Sequence, residues 1–294
     1  MTGFTHFLAV DWSGAKGVRQ KGIAVAVALA DGGPPVLVTP PDPKGWARSD
    51  VLARLRDLPG ATLVGLDLGI SLPHADAGAF FPGWDASPAD ARGLWALIDA
   101  LCEGDPNLEA GGFVTHPQAS RYFRHGAGLE GDRFLIPGAA TREGRFRVAE
   151  AAQRQQGVRP VSNFNLVGAA QVGKSSLTGM RMLHRLGGKV PVWPVDPLPA
   201  EGSVITEIYT SVAARLGGVT GAATKLRSYG ALNDALDVLG SPPVAGTGAI
   251  DDHSSDALLT AAWLRHVHAI GDLWHPSSLT AEIARTEGWT FGAV

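Results

Sequence analysis

The chain has 294 residues, 45% hydrophobic and 18% charged, with a formal net charge of -3. That balance belongs to a globular protein with a sizeable core, and the net charge speaks against holding nucleic acid by bulk positive charge. Cys102 is the one cysteine, so an intrachain disulfide framework is excluded. The N-terminal residues lack a signal-peptide pattern, and no apolar run reaches the ~18–20 residues of a membrane span; a soluble, cytoplasmic protein is expected.

Residues 4–12 (FTHFLAVDW), 22–30 (GIAVAVALA) and 35–39 (PVLVT) are apolar runs joined by short links rich in Gly and Pro, the pattern of an antiparallel meander. Residues 46–58 carry Val51, Leu52, Leu55 and Leu58 at helical spacing. Residues 62–67 (TLVGLD) form a continuous apolar run ending in an acid, which suits a buried parallel strand. A helix begins at Ser87, with Pro88 at its first position and Leu94, Leu97, Ile98 and Leu101 along one face. From 105 to about 160 the periodic signals thin, leaving a helix near 147–156; residues 105–190 read as an insertion or subdomain within a single domain spanning 1–294. Residues 190–195 (VPVWPV), with two prolines, suit an edge strand or an extended loop. A strand at 203–209, helices at 222–239 and 254–268, and a docking tail at 287–294 complete the chain. Three meander strands, a helix, a buried strand ending in Asp and then alternating elements predict an α/β fold. Its expected form is an RNase H-like mixed five-stranded sheet, an antiparallel meander plus parallel strands, flanked by helices.

In that arrangement the acids at strand ends converge. Asp11 ends the first strand, Asp67 the fourth, Glu207 lies in a late strand, and Asp252 and Asp256 open the last long helix four residues apart. Carboxylates brought together repel unless a cation joins them, and hard oxygen ligands select Mg²⁺ or Mn²⁺. Each also has a plainer role: Asp11 in fixing a Ser-Gly turn, Asp67 in capping a loop, Glu207 in an ion pair, Asp252 and Asp256 in starting a helix. His253, between two of the acids, could carry a proton or simply face solvent.

Several short segments carry a resemblance in order along the chain: AVDWSGA (9–15), VGLDLGISLP (64–73), NLVGAAQVG (165–173), VWPVD (192–196), TEIYTS (206–211), DDHSSDALLTAAWL (251–264) and EGWTFG (287–292). Together they make the chain resemble the domain of unknown function 429 family, predicted nucleases with an RNase H-like fold. The resemblance implies Asp11, Asp67, Glu207 and Asp256 as an acidic cluster, and metal-dependent nuclease chemistry by analogy of fold.

A second motif is a literal Walker A match at 168–175 (GAAQVGKS), which would place Lys174 and Ser175 on phosphate, with Ser13 of DWSG as a further phosphate contact. The strand-broken surroundings of the motif, with Pro191 and Pro194 downstream, argue against a full P-loop fold. Charge is uneven: residues 121–189 hold 12 Lys/Arg against 4 Asp/Glu, the remainder 13 against 24. The basic segment suits the backbone of a nucleic acid, or a solvated face that balances neighbouring acids. The leading expectation is a metal-dependent phosphodiester hydrolase acting on nucleic acid. Asp11, Asp67, Asp252 and Asp256 would ligate Mg²⁺ or Mn²⁺, with Glu207 as a further ligand or water-orienting base. An actin-like or P-loop-like ATP-binding phosphotransferase and a non-catalytic binding module of the same fold are the alternatives.

Overall fold

A computed structural model describes residues 3–137, 142–168, 171–219 and 225–294. Strand β1 (His6–Asp11) pairs antiparallel with β2 (Ala24–Leu29), and β2 with the two-residue β3 (Val36–Leu37). Helix α1 (Arg48–Arg56) then leads to β4 (Thr62–Asp67), which runs parallel to β1 with His6 opposite Thr62 and Asp11 opposite Asp67. The chain continues through α2 (Ala91–Leu101), α3 (Gly111–Thr115), the hairpin of β5 (Arg124–Gly126) and β6 (Leu129–Glu130), α4 (Val148–Gln155) and α5 (Val172–Leu186). It closes with β7 (Val192–Trp193), β8 (Val204–Glu207), α6 (Thr210–Leu216), α7 (Tyr229–Val238), α8 (Asp252–Val267) and α9 (Ala281–Thr286).

The main sheet is mixed and six-stranded, in the order β3-β2-β1-β4-β8-β7, with β4, β8 and β7 parallel to β1. It has one strand more than expected. Val192 and Trp193, between two prolines, form a parallel edge pair with β8, where a missing N–H on the outer side costs no ladder bond.

The two-residue period of the strands sorts their side chains onto two cores. Leu8 and Val10 of β1 and Val64 and Leu66 of β4 face one layer, with Val51 and Leu55 of α1, Leu94 and Ile98 of α2 and Leu177 and Leu183 of α5. Phe7, Ala9 and Leu63 face the other, with α6, α7 and α8. On this second face the strands are lined by small residues, Ala9, Ala24, Ala26 and Ala28, which meet Ala257 and Ala261 of α8. Gly65 belongs to the same surface: a Cβ there would come within 2.9 Å of both Ile208 and Leu264. The sheet is therefore shaped to let α8 lie close, and this closeness brings the first turn of α8 to the ends of β1 and β4.

Residues 105–190 hold more structure than their weak periodicity suggests. Phe113, Tyr122, Phe123, Phe134 and Phe164 are buried in the same cluster as Val64 and Leu66, and the 15-residue α5 packs beside α2. Aromatic residues on turns and short helices anchor this region, and such anchors have no period to read.

Three helix starts differ from expectation. α2 begins at Ala91 rather than after Ser87, because Asp90 Oδ1 accepts from Gly93 N at 2.8 Å and caps it there. α7 begins at Tyr229, capped by Ser228 accepting from Ala231 N at 3.2 Å; residues 222–224 of the predicted helix lie outside the described residues. α8 is capped by Asp251, not Asp252, with Asp251 Oδ1 accepting from Ser254 N at 2.9 Å. No described helix is long and apolar enough to cross a membrane.

Candidate active site

Parallel, in-register pairing sets Asp11 and Asp67 side by side at the ends of β1 and β4, and equal parity turns both toward α8. The Asp251 cap fixes the first turn of α8, where His253 and Asp256 are three apart and so share a face. His253 Nδ1 lies 2.8 Å from Asp11 Oδ2. Lys225 Nζ donates to Asp256 Oδ2 at 2.5 Å, and Thr210 Oγ1 to Asp67 Oδ2 at 3.4 Å. Three carboxylates predicted from separate parts of the chain thus meet, each held by a different hydrogen-bond donor.

Their electrostatics follow from crowding. Desolvation first, and then the charges of Asp11 and Asp256, drive the Asp67 carboxyl well above the ordinary carboxylate value. Burial pushes Asp256 up to about 6, against the opposing pull of Lys225. His253 is raised, chiefly by its hydrogen bond to Asp11. For Lys225, burial would lower the pKa; its bond to Asp256 and the charges of Asp11 and Asp252 outweigh it and raise the value.

The donor set has the chemistry a divalent ion requires: hard oxygens with more negative charge than their neighbours neutralise. In the present geometry two of those oxygens are occupied, Asp11 by His253 and Asp256 by Lys225. Among the described residues, no group of three or more His, Cys, Asp or Glu side chains is already gathered as a ligand shell. A metal ion here would have to displace Lys225 from Asp256 and His253 from Asp11.

Of the two other predicted acids, Glu207 borders the same cavity as Asp67 but from the opposite sheet face, and Asp252 turns away. Glu207 registers with Leu66 rather than Asp67, so it points to the opposite face of the sheet. One residue of parity makes the difference. There it is buried: Oε2 accepts from Ile70 N at 2.8 Å and from Arg147 at 2.7 Å, and Oε1 accepts from Arg147 and Thr290. Arg147 also pairs with Glu150, while Glu287 accepts from the backbone of His74, Ala75 and Val148. These groups tie α4 and the C-terminal tail to β8. The tail docks as expected, with Thr290 bridging to Glu207 and Trp289 and Phe291 fully buried. Asp252, in the first turn of α8, turns outward to Arg227 at 3.1 Å.

The DWSG loop and the Walker-like segment meet at the same place. Ser13 O accepts from the buried Arg48 at 3.0 and 3.1 Å, and Ala15 O accepts from it as well, so the loop after β1 is pinned from below. Burial lowers the Arg48 pKa to about 10. Gly14 lies directly against the first turn of α5: a Cβ would overlap the backbone of Lys174 and Ser175. The Walker-like motif leads into the helix α5. The segment before it is a turn with a single bridge from Asn165 to Arg124, and so lacks the strand a P-loop requires. Ala169 and Ala170 of the motif lie outside the described residues.

Between these elements is a cavity of about 490 Å³. Asp67, Ser13, Lys174, Lys225, His253 and Tyr209 line it, together with one face of α4. Most of the basic segment does not reach it. Arg121 pairs with Asp132, Arg124 and Arg142 with Glu130, Arg145 with Asp76, Arg154 with Glu143, and Arg181 and Arg185 with Asp99. Most of the cations of residues 121–189 are thus paired with acids, several of them at the surface.

Sequence reasoning passed over Lys225 and Arg147. Nothing distinguishes an isolated lysine ahead of a helix, or an arginine in a basic stretch, until the fold brings acids to it. The chain matched no protein-family model, no curated protein and no solved structure.

Proposed function

We propose that the chain is an RNase H-like, metal-dependent phosphodiester hydrolase acting on nucleic acid. The observation that carries this reading is the meeting of Asp11, Asp67 and Asp256 at one end of the sheet, where burial first and then the charges of its neighbours raise Asp67. Asp11, Asp67 and Asp256 would hold Mg²⁺ or Mn²⁺, which when bound activates water and stabilises a leaving oxygen. Lys225, released from Asp256, neutralises charge on the substrate phosphate. His253, beside Asp11, holds a proton at Nε2 for the departing oxygen. Lys174 faces the same cavity and orients a phosphate there.

The purified chain with Mn²⁺ or Mg²⁺ is expected to cleave DNA, RNA or a model phosphodiester. EDTA should abolish cleavage, and Asp11→Asn or Asp67→Asn should lower it at least about 100-fold. Absence of cleavage on all three substrates, or an undiminished Asp11→Asn variant, overturns the reading.

One contact favours a second reading. Asp11 orients His253, and a methyl group on Gly22 would lie 3.3 Å from Ser13 Oγ and 3.4 Å from His253 Nε2. Ser13, His253 and Asp11 could thus act as nucleophile, base and orienting acid without metal. Hydrolysis that survives EDTA and disappears in Ser13→Ala would select it.

A further inference from the structure

Helix α4 presents Arg147, its N-cap, with Glu150 and Gln153 at three-residue spacing along the cavity wall. Arg147 is engaged with both Glu150 and Glu207. Gln153 is different. It is only 3% exposed, yet among the described residues its carboxamide has no hydrogen-bond partner, and its remaining exposure borders the cavity. A buried amide is normally satisfied, because leaving it unpaired forfeits its hydration without return. An amide held nearly dry at the edge of a ligand-sized cavity has the form of a recognition group awaiting its complement.

Two other features say what that ligand carries. Lys174 stands in the first turn of the 15-residue α5, whose N-cap Gln171 makes no side-chain cap. The Lys174 ammonium donates to Gln171 Oε1 at 2.9 Å, and among the described residues no carboxylate pairs with it. A free cation beside a helix N-terminus suits phosphate. Tyr209, partly buried, offers an aromatic ring in the same cavity, with Pro160 and Val161 as apolar neighbours. An aromatic surface, a neutral donor-acceptor amide and a phosphate-seeking cation are the three requirements of a nucleotide.

We propose that the cavity seats one nucleotide, with its phosphate toward Lys174 and the edge of its base read by Gln153. The inference rests on the nucleic-acid reading above and gives it a substrate class: a strand that can splay a single base into a pocket. Either end of the amide can pair, so Gln153 selects between bases by their donor and acceptor pattern.

The test is isothermal titration of the full chain in EDTA with AMP, GMP, CMP and UMP, using the four nucleosides and ribose 5-phosphate as controls. One mononucleotide is expected to bind about tenfold or more tighter than the others, and Gln153→Ala to erase that preference. Lys174→Ala should weaken all four mononucleotides alike and leave the nucleosides unchanged. Gln153→Met should melt no lower than wild type, since no protein partner is lost. Ribose 5-phosphate binding as tightly as the mononucleotides overturns the proposal. So do a base preference that persists in Gln153→Ala, no binding of any mononucleotide, and a marked drop in melting temperature for Gln153→Met. Because the titration needs neither metal nor turnover, selective binding without cleavage would sink the hydrolase and leave the subsite. Cleavage without selective binding would do the reverse.

Discussion

Asp67 shows most directly that this site is held against the fold's own interest. Its carboxylate is partly desolvated and repelled by Asp11 and Asp256, with Thr210 as a weak partner at 3.4 Å. A carboxyl whose native pKa is raised binds a proton that the unfolded chain has released. Its stabilising contribution is therefore full below the unfolded value, about 3.9, and is lost as pH rises through the native value. For Asp256 that window ends at about 6, and Asp67 acts with the same sign. Asp67→Asn should thus raise the melting temperature at pH 7.5, by about 2–4 °C for a gain near 1 kcal/mol. At pH 5 the advantage should shrink, because wild type then carries more of the protons itself. Calorimetry at the two pH values checks this, and a variant that melts lower than wild type at pH 7.5 would refute it. Saturating Mn²⁺ should raise the melting point of wild type and not of the variant, since binding to the folded state alone stabilises it.

The contact between the β1–β2 loop and α5 brings Ser13 of DWSG beside Lys174 and Ser175, the residues expected to share a phosphate. Gly14 allows the loop backbone to lie on that of Lys174 and Ser175, so a side chain there must push Ser13 away from the cavity or tilt α5. Gly14→Val is expected to cost about 1–3 kcal/mol in stability and to weaken phosphate-dependent binding. Gly104→Ala, whose methyl would meet nothing within 4 Å, should alter neither. Denaturant melts of both variants decide it; equal stability would show that the loop can retreat freely. What could be read beforehand follows the same division between local and non-local information. β1, β2, β4 and α8 were legible as apolar runs, and Asp11, Asp67 and Asp256 came with β1, β4 and α8. The face that Glu207 takes was not legible. It depends on pairing with Leu66 rather than Asp67, and SVITEIY contains nothing that fixes its register against a strand about 140 residues away. The aromatic anchors of residues 105–190 were hidden for a related reason, since burial through turns leaves no periodic trace.

Charge across the molecule bears on how any nucleic acid would be held. The net charge is -3, and eight of the 12 basic residues in 121–189 are paired with acids. A protein that grips a strand along a basic groove releases many counterions, and its affinity collapses with salt. Here the cations facing the cavity and free to meet phosphate are Lys174 and, once it leaves Asp256, Lys225. Two phosphate contacts with a single strand correspond to a slope of log K against log salt near -1.4, about a sevenfold loss between 50 and 200 mM. Binding of a short single-stranded oligonucleotide, followed by fluorescence anisotropy across that range, measures the slope directly. A value near -5 would mean that many more cations engage the strand than the cavity supplies. A shallow slope, flattened further by Lys174→Ala, would place recognition in the pocket itself. If the proposed nucleic-acid reading holds, the overall acidity would repel long duplexes and favour a frayed end or single strand that can thread one nucleotide past Lys174.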